Sequence, residues 1–513
     1  MASLNEQTAV QAEKEKPRAV VETSHSFNLQ IAVKKLDWKR GFFIFLGLAL
    51  FLAVYYSPPF SDAVDPQGKH FALSKEGKAA LGLFLLASTW WIFEVIPIGV
   101  TGILIGVVQA LFLIRKADVA FSNFFDPSVW FIFASLVIGR TFTKSGLTQR
   151  MAYKMLVMVG ERTSMIYLGC FTLISLLTLL MAHTAVAATV YPLLVAIYSL
   201  YQEDNQPTRF GKGLFIGMAF VAGAGSIVTL LGAARGAVAI GFFKDMAGRE
   251  ISFAEYTFYQ LPIGWSMVFF LWAFFMIFFK PERKTIPGLR ERAKALAERL
   301  GPMKKVEWQT LIIVLAVIII LSLRSFIPAL TPLDKTGIIL VSTLLFFLLK
   351  ILTIQDLEEI PWNIILLFGG AMSIGFCLWQ TGAASWLAVH WLTLFQEAHW
   401  FVFILGIAFF VLIMTNFIMN VAAIAISMPI ALVIAPYLGV APEVVLFASL
   451  VTAGMPFMLL IGAAPNAIAY ESKQFTSAEF LRAGIIASMI LLLVLGLFIL
   501  VIWPLMGMPV LAK

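Results

Sequence analysis

The sequence predicts an all-α polytopic membrane protein, with about 11 transmembrane helices plus two re-entrant hairpins arranged as an inverted repeat. Three observations lead there. Of 513 residues, 60% are hydrophobic and 13% charged, with a mean hydropathy of +0.91, whereas soluble domains average about 25% charged. Apolar runs of spanning length recur along the chain. Two of them are interrupted by a short polar step, Met181-Ala-His-Thr184 and Ile418-Met-Asn-Val421. Each has a proline nine residues after its central polar residue, His183 to Pro192 and Asn420 to Pro429. In hydrocarbon such a step is tolerated only where it faces protein or a water-filled cavity. One copy in each half points to a transporter with its site near the midplane.

Residues 1–40 are polar and read as a cytoplasmic tail; no short apolar core with a small-residue cleavage site occurs there, so no signal peptide is expected. Lys34, Lys35, Lys39 and Arg40 form a basic collar before a first span at about 41–57, which argues for a cytoplasmic N-terminus. Spans follow at roughly 79–96 and 98–115. Trp90 and Trp91 suit an interfacial position, and Glu94 a helix end near the headgroups. Asp126-Pro127 opens a span at about 128–154 carrying Arg140, a substrate contact, a charge facing a helix partner or one snorkelling to an interface. Residues 163–201 hold the first hairpin, with His183-Thr184 at its tip. Small residues from Gly223 to Gly236 break a helix and let backbone approach a ligand. A span at about 258–279 closes the first repeat, 41–280.

Residues 281–306 form a basic cytoplasmic linker. Nine lysines and arginines lie between Lys280 and Lys305, and the composition predicts an amphipathic surface helix. The second repeat, 307–513, follows the same order. Its spans lie at about 308–327, 337–353 and 361–388. Residues 400–437 hold the second hairpin, with Asn416 and Asn420, and a span at about 443–461 precedes the break Gly462-Ala-Ala-Pro-Asn466. A half-helix and a last span at about 480–504 end the chain. Gly375 and Gly382 lie seven apart, as Gly139 and Gly146 do. With both hairpins entering and leaving on one side, the linker falls on the same side as the basic N-terminus. Cys170 and Cys377 are far apart in apolar segments, and buried free thiols are expected.

The breaks at 232–234 and 462–464 carry the chemistry. A broken helix leaves backbone N–H groups at one end and carbonyls at the other. The N–H end favours an anion and the carbonyl end a cation. The net charge of +8 sits mostly in membrane-flanking loops, so nucleic acid is not a partner. No filter-like run favours a channel, and His25, His70, His183, His390 and His399 show no metalloenzyme spacing. An enzyme, a cofactor and a resident metal are not expected.

These residues resemble the divalent anion:sodium symporter family. Trp90-Trp91-Ile92-Phe93-Glu94-Val95-Ile96-Pro97-Ile98 is similar to that family's Trp-Trp-Ile-Thr-Glu-Ala-Ile-Pro stretch, and the similarity covers nearly everything after residue 40. The resemblance implies transport of dicarboxylates, citrate or sulfate by a homodimer, each protomer with a scaffold and an elevator-like transport part. The family carries Ser-Asn-Thr at each hairpin tip and a Gly-Thr-Pro-Pro-Asn type break in each half, which together hold sodium and the substrate carboxylates. This chain departs at those motifs. The first tip, Ala182-His183-Thr184, keeps only the threonine, and the second, Met419-Asn420-Val421, only the asparagine. The second break, Gly462-Ala463-Ala464-Pro465-Asn466, keeps Pro-Asn; the first, Gly232-Ala233-Ala234-Arg235-Gly236, gains an arginine.

The retained Thr184 and Asn420, with Ala464, Pro465 and Asn466 of the second break, are the substrate contacts the resemblance implies; His183 and Arg235, which depart from the family pattern, join them as expected substrate contacts on their own chemistry. Gly232, Ala233, Asn416, Gly462 and Ala463 are the cation-site candidates. An arginine at membrane depth costs roughly 2.5–3.5 kcal/mol on insertion scales, so it faces a partner or a site. With His183, Arg235 is expected to supply the positive charge that sodium supplies in relatives, which favours exchange of one anion for another. The expectation is therefore a secondary transporter of small divalent anions in a bacterial inner membrane, dicarboxylates first and citrate or sulfate next. Sodium- or proton-coupled symport is the alternative mode, with sodium the candidate coupling ion, and an anion channel the alternative class.

Overall fold

The computed structural model describes residues 38–64, 70–202, 206–395, 399–417 and 419–511. The chain divides into two compact units, Met1–Phe42 and Phe43–Lys513. Of the first, only the opening turn of a helix is described, so nearly all of the expected tail, with Lys34 and Lys35, lies outside the described residues. Ile418 of the second polar step does too.

The elements begin with α1 (Trp38–Tyr56) and a two-residue antiparallel pair, β1 (Ala63–Val64) and β2 (His70–Phe71). Ten helices follow: α2 (Lys75–Ile92), α3 (Ile98–Leu111), the short α4 (Ala117–Ser122), α5 (Pro127–Ser145), α6 (Leu147–Val159), α7 (Thr163–Thr178), α8 (His183–Tyr201), α9 (Arg209–Ser226), α10 (Arg235–Ala247) and α11 (Phe253–Phe278). A surface helix, α12 (Leu289–Arg299), comes next. The same succession then recurs: α13 (Lys305–Leu323), α14 (Lys335–Leu348), the short α15 (Ile354–Glu358), α16 (Trp362–Gln380) and α17 (Ala383–Phe395). It ends with α18 (Trp400–Phe417), α19 (Asn420–Ile434), α20 (Pro442–Ala453), α21 (Ala464–Tyr470) and α22 (Ser477–Leu497). Among the described residues nine helices are long and apolar enough to cross a membrane, and four shorter apolar helices accompany them. The protein is an all-α, multi-pass membrane protein.

Local sequence sets the helix starts. Asp126 accepts from Ser128 N at 2.7 Å with Pro127 in the first turn, and Asp334 accepts from Thr336 N at 2.8 Å. Thr476 and Glu479 form a capping box ahead of α22. Glycine sets two breaks that differ from expectation. The spans read at 128–154 and 361–388 are each two helices, divided at Gly146 (φ +89°) and Gly382 (φ +76°). A left-handed backbone there ends the helix, and glycine adopts it without strain. Trp90 and Trp91 are buried in the protein. The Trp90 ring lies against Gly47, and Trp91 Nε1 donates to Ile98 O at 3.2 Å. Glu94 is exposed at the end of that helix, and both cysteines are buried and free.

The two halves interlock. α3 crosses α16 so closely that a Cβ on Gly370 would stand 2.3 Å from Gly102 Cα. In lipid, where apolar surfaces are not driven together by water, small residues at such crossings supply the attraction. α5 packs on α14, where Thr336 Oγ1 donates to Pro127 O at 3.0 Å. A second group forms where α7 packs on α9, α18 on α20, α10 on α19 and α21 on α8. The predicted site lies on this second group, where it meets the first.

Candidate functional site

The site is built on two interrupted helices and two breaks. Between α7 and α8 the chain is non-helical from 179 to 182, and α8 starts at His183 with no side-chain cap. α19 starts at Asn420, also without a side-chain cap. Such helix starts leave first-turn N–H groups without intrahelical acceptors and carry the positive end of the helix dipole.

At the first interruption, His183 N donates to Gly232 O at 3.0 Å, and its Nδ1 meets the same carbonyl at 3.3 Å. The imidazole therefore stands on the Gly232 carbonyl. Gly232 is required there, because a Cβ would lie 2.6 Å from both Ser226 O and Thr178 O. Arg235 opens α10 and is 1% exposed. Its Nη2 donates to Ser226 Oγ at 2.8 Å, while Nε and Nη1 have no hydrogen-bond partner. The guanidinium reaches across to Gly454, where a Cβ would meet Nη2 at 2.5 Å. No carboxylate pairs with it among the described residues. A charge taken out of water in that state is costly.

The second interruption is made of amides. Asn416 Oδ1 accepts from Met458 N at 2.8 Å and Leu459 N at 3.1 Å, and its Nδ2 donates to Leu412 O. Asn466 Nδ2 donates to Pro456 O at 2.8 Å and Leu459 O at 3.0 Å. Both side chains are thus committed to holding the break at 454–463. Thr415 Oγ1 is bound to Ala453 O, and Gly462 lies against Thr415 O and Asn416. Asn420 differs: it is 6% exposed and its Nδ2 has no partner.

One cavity of ≈ 320 Å³ gathers the starts of α8, α10 and α19. His183, Thr184, Ala233, Arg235 and Asn420 line it. Gly232, beneath His183, and Asn416, Gly462, Ala463, Ala464, Pro465 and Asn466 do not. The cavity is at the small end of the range for small-molecule sites, roughly 300–1,000 Å³. Its opposite wall comes from α5, α16 and the segment Glu359–Pro361.

That wall holds a charged cluster that sequence reasoning did not assemble. Arg140, on the wall, pairs with Asp356 at 3.2 Å and with Glu359; Lys144 also pairs with Asp356. Burial pushes the Asp356 carboxyl up, but hydrogen bonds from Lys144 and Thr353 outweigh it and hold the group well below the usual carboxylate range. Arg140 was visible as an intramembrane cation. Nothing in the sequence linked it to Asp356, 216 residues away.

The sequence model described as the sodium:sulfate symporter transmembrane region matches residues 64–509. The sodium-dependent dicarboxylate transporter SdcS of Staphylococcus saprophyticus is 24% identical over 460 residues, covering 85% of this chain and 88% of its own length. SdcS of Staphylococcus aureus (strain bovine RF122) is 25% identical over 450 residues, covering 84% and 86%. The crystal structure of the Alcanivorax borkumensis YdaH transporter shares the fold, with a TM-score of 0.55 over 92% of this chain and 98% of that chain at 14% identity. The family match takes in both interrupted helices, both breaks and the cavity between them, and the chain belongs to the sodium:sulfate symporter family of membrane transporters.

Proposed function

We propose that this protein is a secondary transporter of small dicarboxylates, succinate, malate and fumarate being the first candidates and citrate or sulfate the next. One observation carries the reading. Two uncapped helix starts, each opened by a polar residue, face one cavity with a buried arginine that has no carboxylate partner among the described residues. A dianion suits this arrangement: one carboxylate accepts from the α8 start with Thr184, the other from the α19 start with Asn420. Arg235 lies behind them as a fixed positive charge. The dicarboxylate names of the Staphylococcus relatives support the same substrate class.

The mode we propose is anion exchange without sodium. A fixed cation supplies the charge that a bound ion would otherwise bring, and the empty carrier then returns unfavourably with an unneutralised arginine. Exchange favours return with a second anion. At the first interruption His183 occupies the carbonyl that sodium would use, and at the second Asn416 Oδ1 is taken by two backbone amides. Sodium symport is the second reading, favoured by the sodium-dependent relatives. Movement by an elevator is supported by the cavity's position, walled on one side by α8, α10 and α19 and on the other by α5 and α16. A homodimer in a bacterial inner membrane, with residues 1–40 and 281–306 cytoplasmic and repeats at 41–280 and 307–513, completes the proposal.

Counterflow tests it. Purified protein in liposomes loaded with unlabelled succinate is predicted to accumulate external labelled succinate transiently, with malate and fumarate competing. Saturable counterflow of sulfate alone, with no effect of dicarboxylates, would overturn the substrate assignment.

A further inference from the structure

A second cavity of ≈ 320 Å³ lies between α6, α8 and the surface helix α12. It shares a single wall residue, Thr189, with the anion cavity. Its walls are mainly apolar, with Ala152 and Leu156 on α6, Leu193 and Ile197 on α8, and Leu296 on α12. Two polar groups interrupt them. Thr148 is 2% exposed and its hydroxyl has no hydrogen-bond partner. It stands in the first turn of α6, after the left-handed Gly146, where no carbonyl of its own helix lies four residues back. Arg292 is exposed and makes no ion pair among the described residues.

A gap with apolar walls in a membrane protein is not squeezed shut by water, because the surrounding solvent is itself hydrocarbon. Of the nine cations between Lys280 and Lys305, Arg292 lines this cavity, and cations beside membrane helices attract anionic headgroups. We propose that this cavity holds an acyl chain of an anionic phospholipid, with the headgroup phosphate on Arg292 and a lipid oxygen accepting from the Thr148 hydroxyl. Pro192 lies on the same wall and cannot donate to the carbonyl of Ala188, so α8 is loosened there. The half of α8 before Pro192 carries His183 and Thr184 to the anion cavity; most of the α8 wall of the second cavity, from Leu193 to Leu200, lies after it. Lipid occupancy thereby sets the bend of α8 and the placing of the anion contacts, a consequence that rests on the proposed transport site.

The test reads lipid retention, which does not require transport. Full-length protein is equilibrated with vesicles of phosphatidylcholine mixed with phosphatidylglycerol, re-purified, and its bound lipid quantified by native mass spectrometry. Wild type is expected to retain phosphatidylglycerol in preference to phosphatidylcholine. Arg292→Ala, at an exposed position with no ion pair to lose, is expected to reduce that retention several-fold, and Arg292→Lys to restore part of it. Ala196→Phe, which fills the cavity, is expected to lower retention of both lipids. Equal retention of the two lipids by wild type, or unchanged phosphatidylglycerol on Arg292→Ala, overturns the proposal whatever the protein transports.

Discussion

Ala182 and Met419, the residues before α8 and α19, have nearly the same backbone angles, φ −57°, ψ 135° and φ −59°, ψ 140°. A polar residue opens each helix and a proline follows nine residues on. The surroundings differ. At the first interruption a histidine stands on Gly232 O and an arginine is buried without a counter-ion. At the second, three asparagines divide the labour: Asn416 and Asn466 hold backbone and Asn420 keeps a free donor. The helices also sit differently: α8 is only partly buried along its length, whereas nearly every residue of α19 is buried. The backbone frame at the two helix starts is alike, while the side chains around the first include an imidazole and a guanidinium and those around the second are neutral amides.

The sharpest way to break this contrast is to remove the charge. Arg235→Ala is expected to lower succinate counterflow by about two orders of magnitude or more, since loss of a buried charge partner costs roughly 2–5 kcal/mol. Arg235→Lys is expected to keep part of it. Normal counterflow with unchanged ion dependence in Arg235→Ala would sink the fixed-cation assignment.

The next effect is on stability and belongs to the second interruption. Asn416→Leu removes the acceptor of two part-buried backbone amides, Met458 N and Leu459 N, and an unsatisfied buried donor costs up to about 1–3 kcal/mol, so a fall in melting temperature is expected in detergent. An unchanged melt would mean that Asn416 does not hold the break. Asn420→Ala should do the reverse. Its donor has no protein partner, so stability is expected to hold while KM for succinate rises about tenfold or more, the worth of a hydrogen bond to a charged group, roughly 1.5–3 kcal/mol. A destabilised Asn420→Ala with unchanged KM would place this residue with Asn416 and Asn466.

The smallest effect lies on the facing wall. The Asp356 carboxyl is depressed in the folded protein, so its contribution is complete above the unfolded value of about 3.9. That contribution is lost only as pH falls through the lower folded value. The difference in melting temperature between wild type and Asp356→Asn is therefore expected to stay flat from pH 7 to about pH 5 and to shrink only in stronger acid. A difference that disappears between pH 7 and 5 would show that Asp356 is not held by Lys144 and Arg140.

Much of the fold was legible because hydrophobic runs, capping residues and the doubled polar step are local signals. His183 and Asn420 stand at helix starts and Gly232 at a close approach, all readable from residue type and spacing. The division of 128–154 and 361–388 was not, because the spacing of Gly139 and Gly146 does not reveal which glycine takes a positive φ. Burial of Trp90 depends on Gly47, more than forty residues earlier. Asn466 was grouped with the anion contacts by its motif, but three-dimensional packing turns its amide to Pro456 and Leu459. The pairing of Arg140 with Asp356 joins the two halves of the chain, a relation no local pattern encodes.

The central claim is that a buried arginine replaces a coupling cation. It is tested most directly by labelled succinate uptake into liposomes holding wild-type protein, with and without an inward sodium gradient, crossed with and without internal succinate. Uptake that requires internal succinate and ignores sodium is the predicted result. Sodium-driven uptake into empty liposomes would contradict it, and would mean that the altered interruptions still hold the ion.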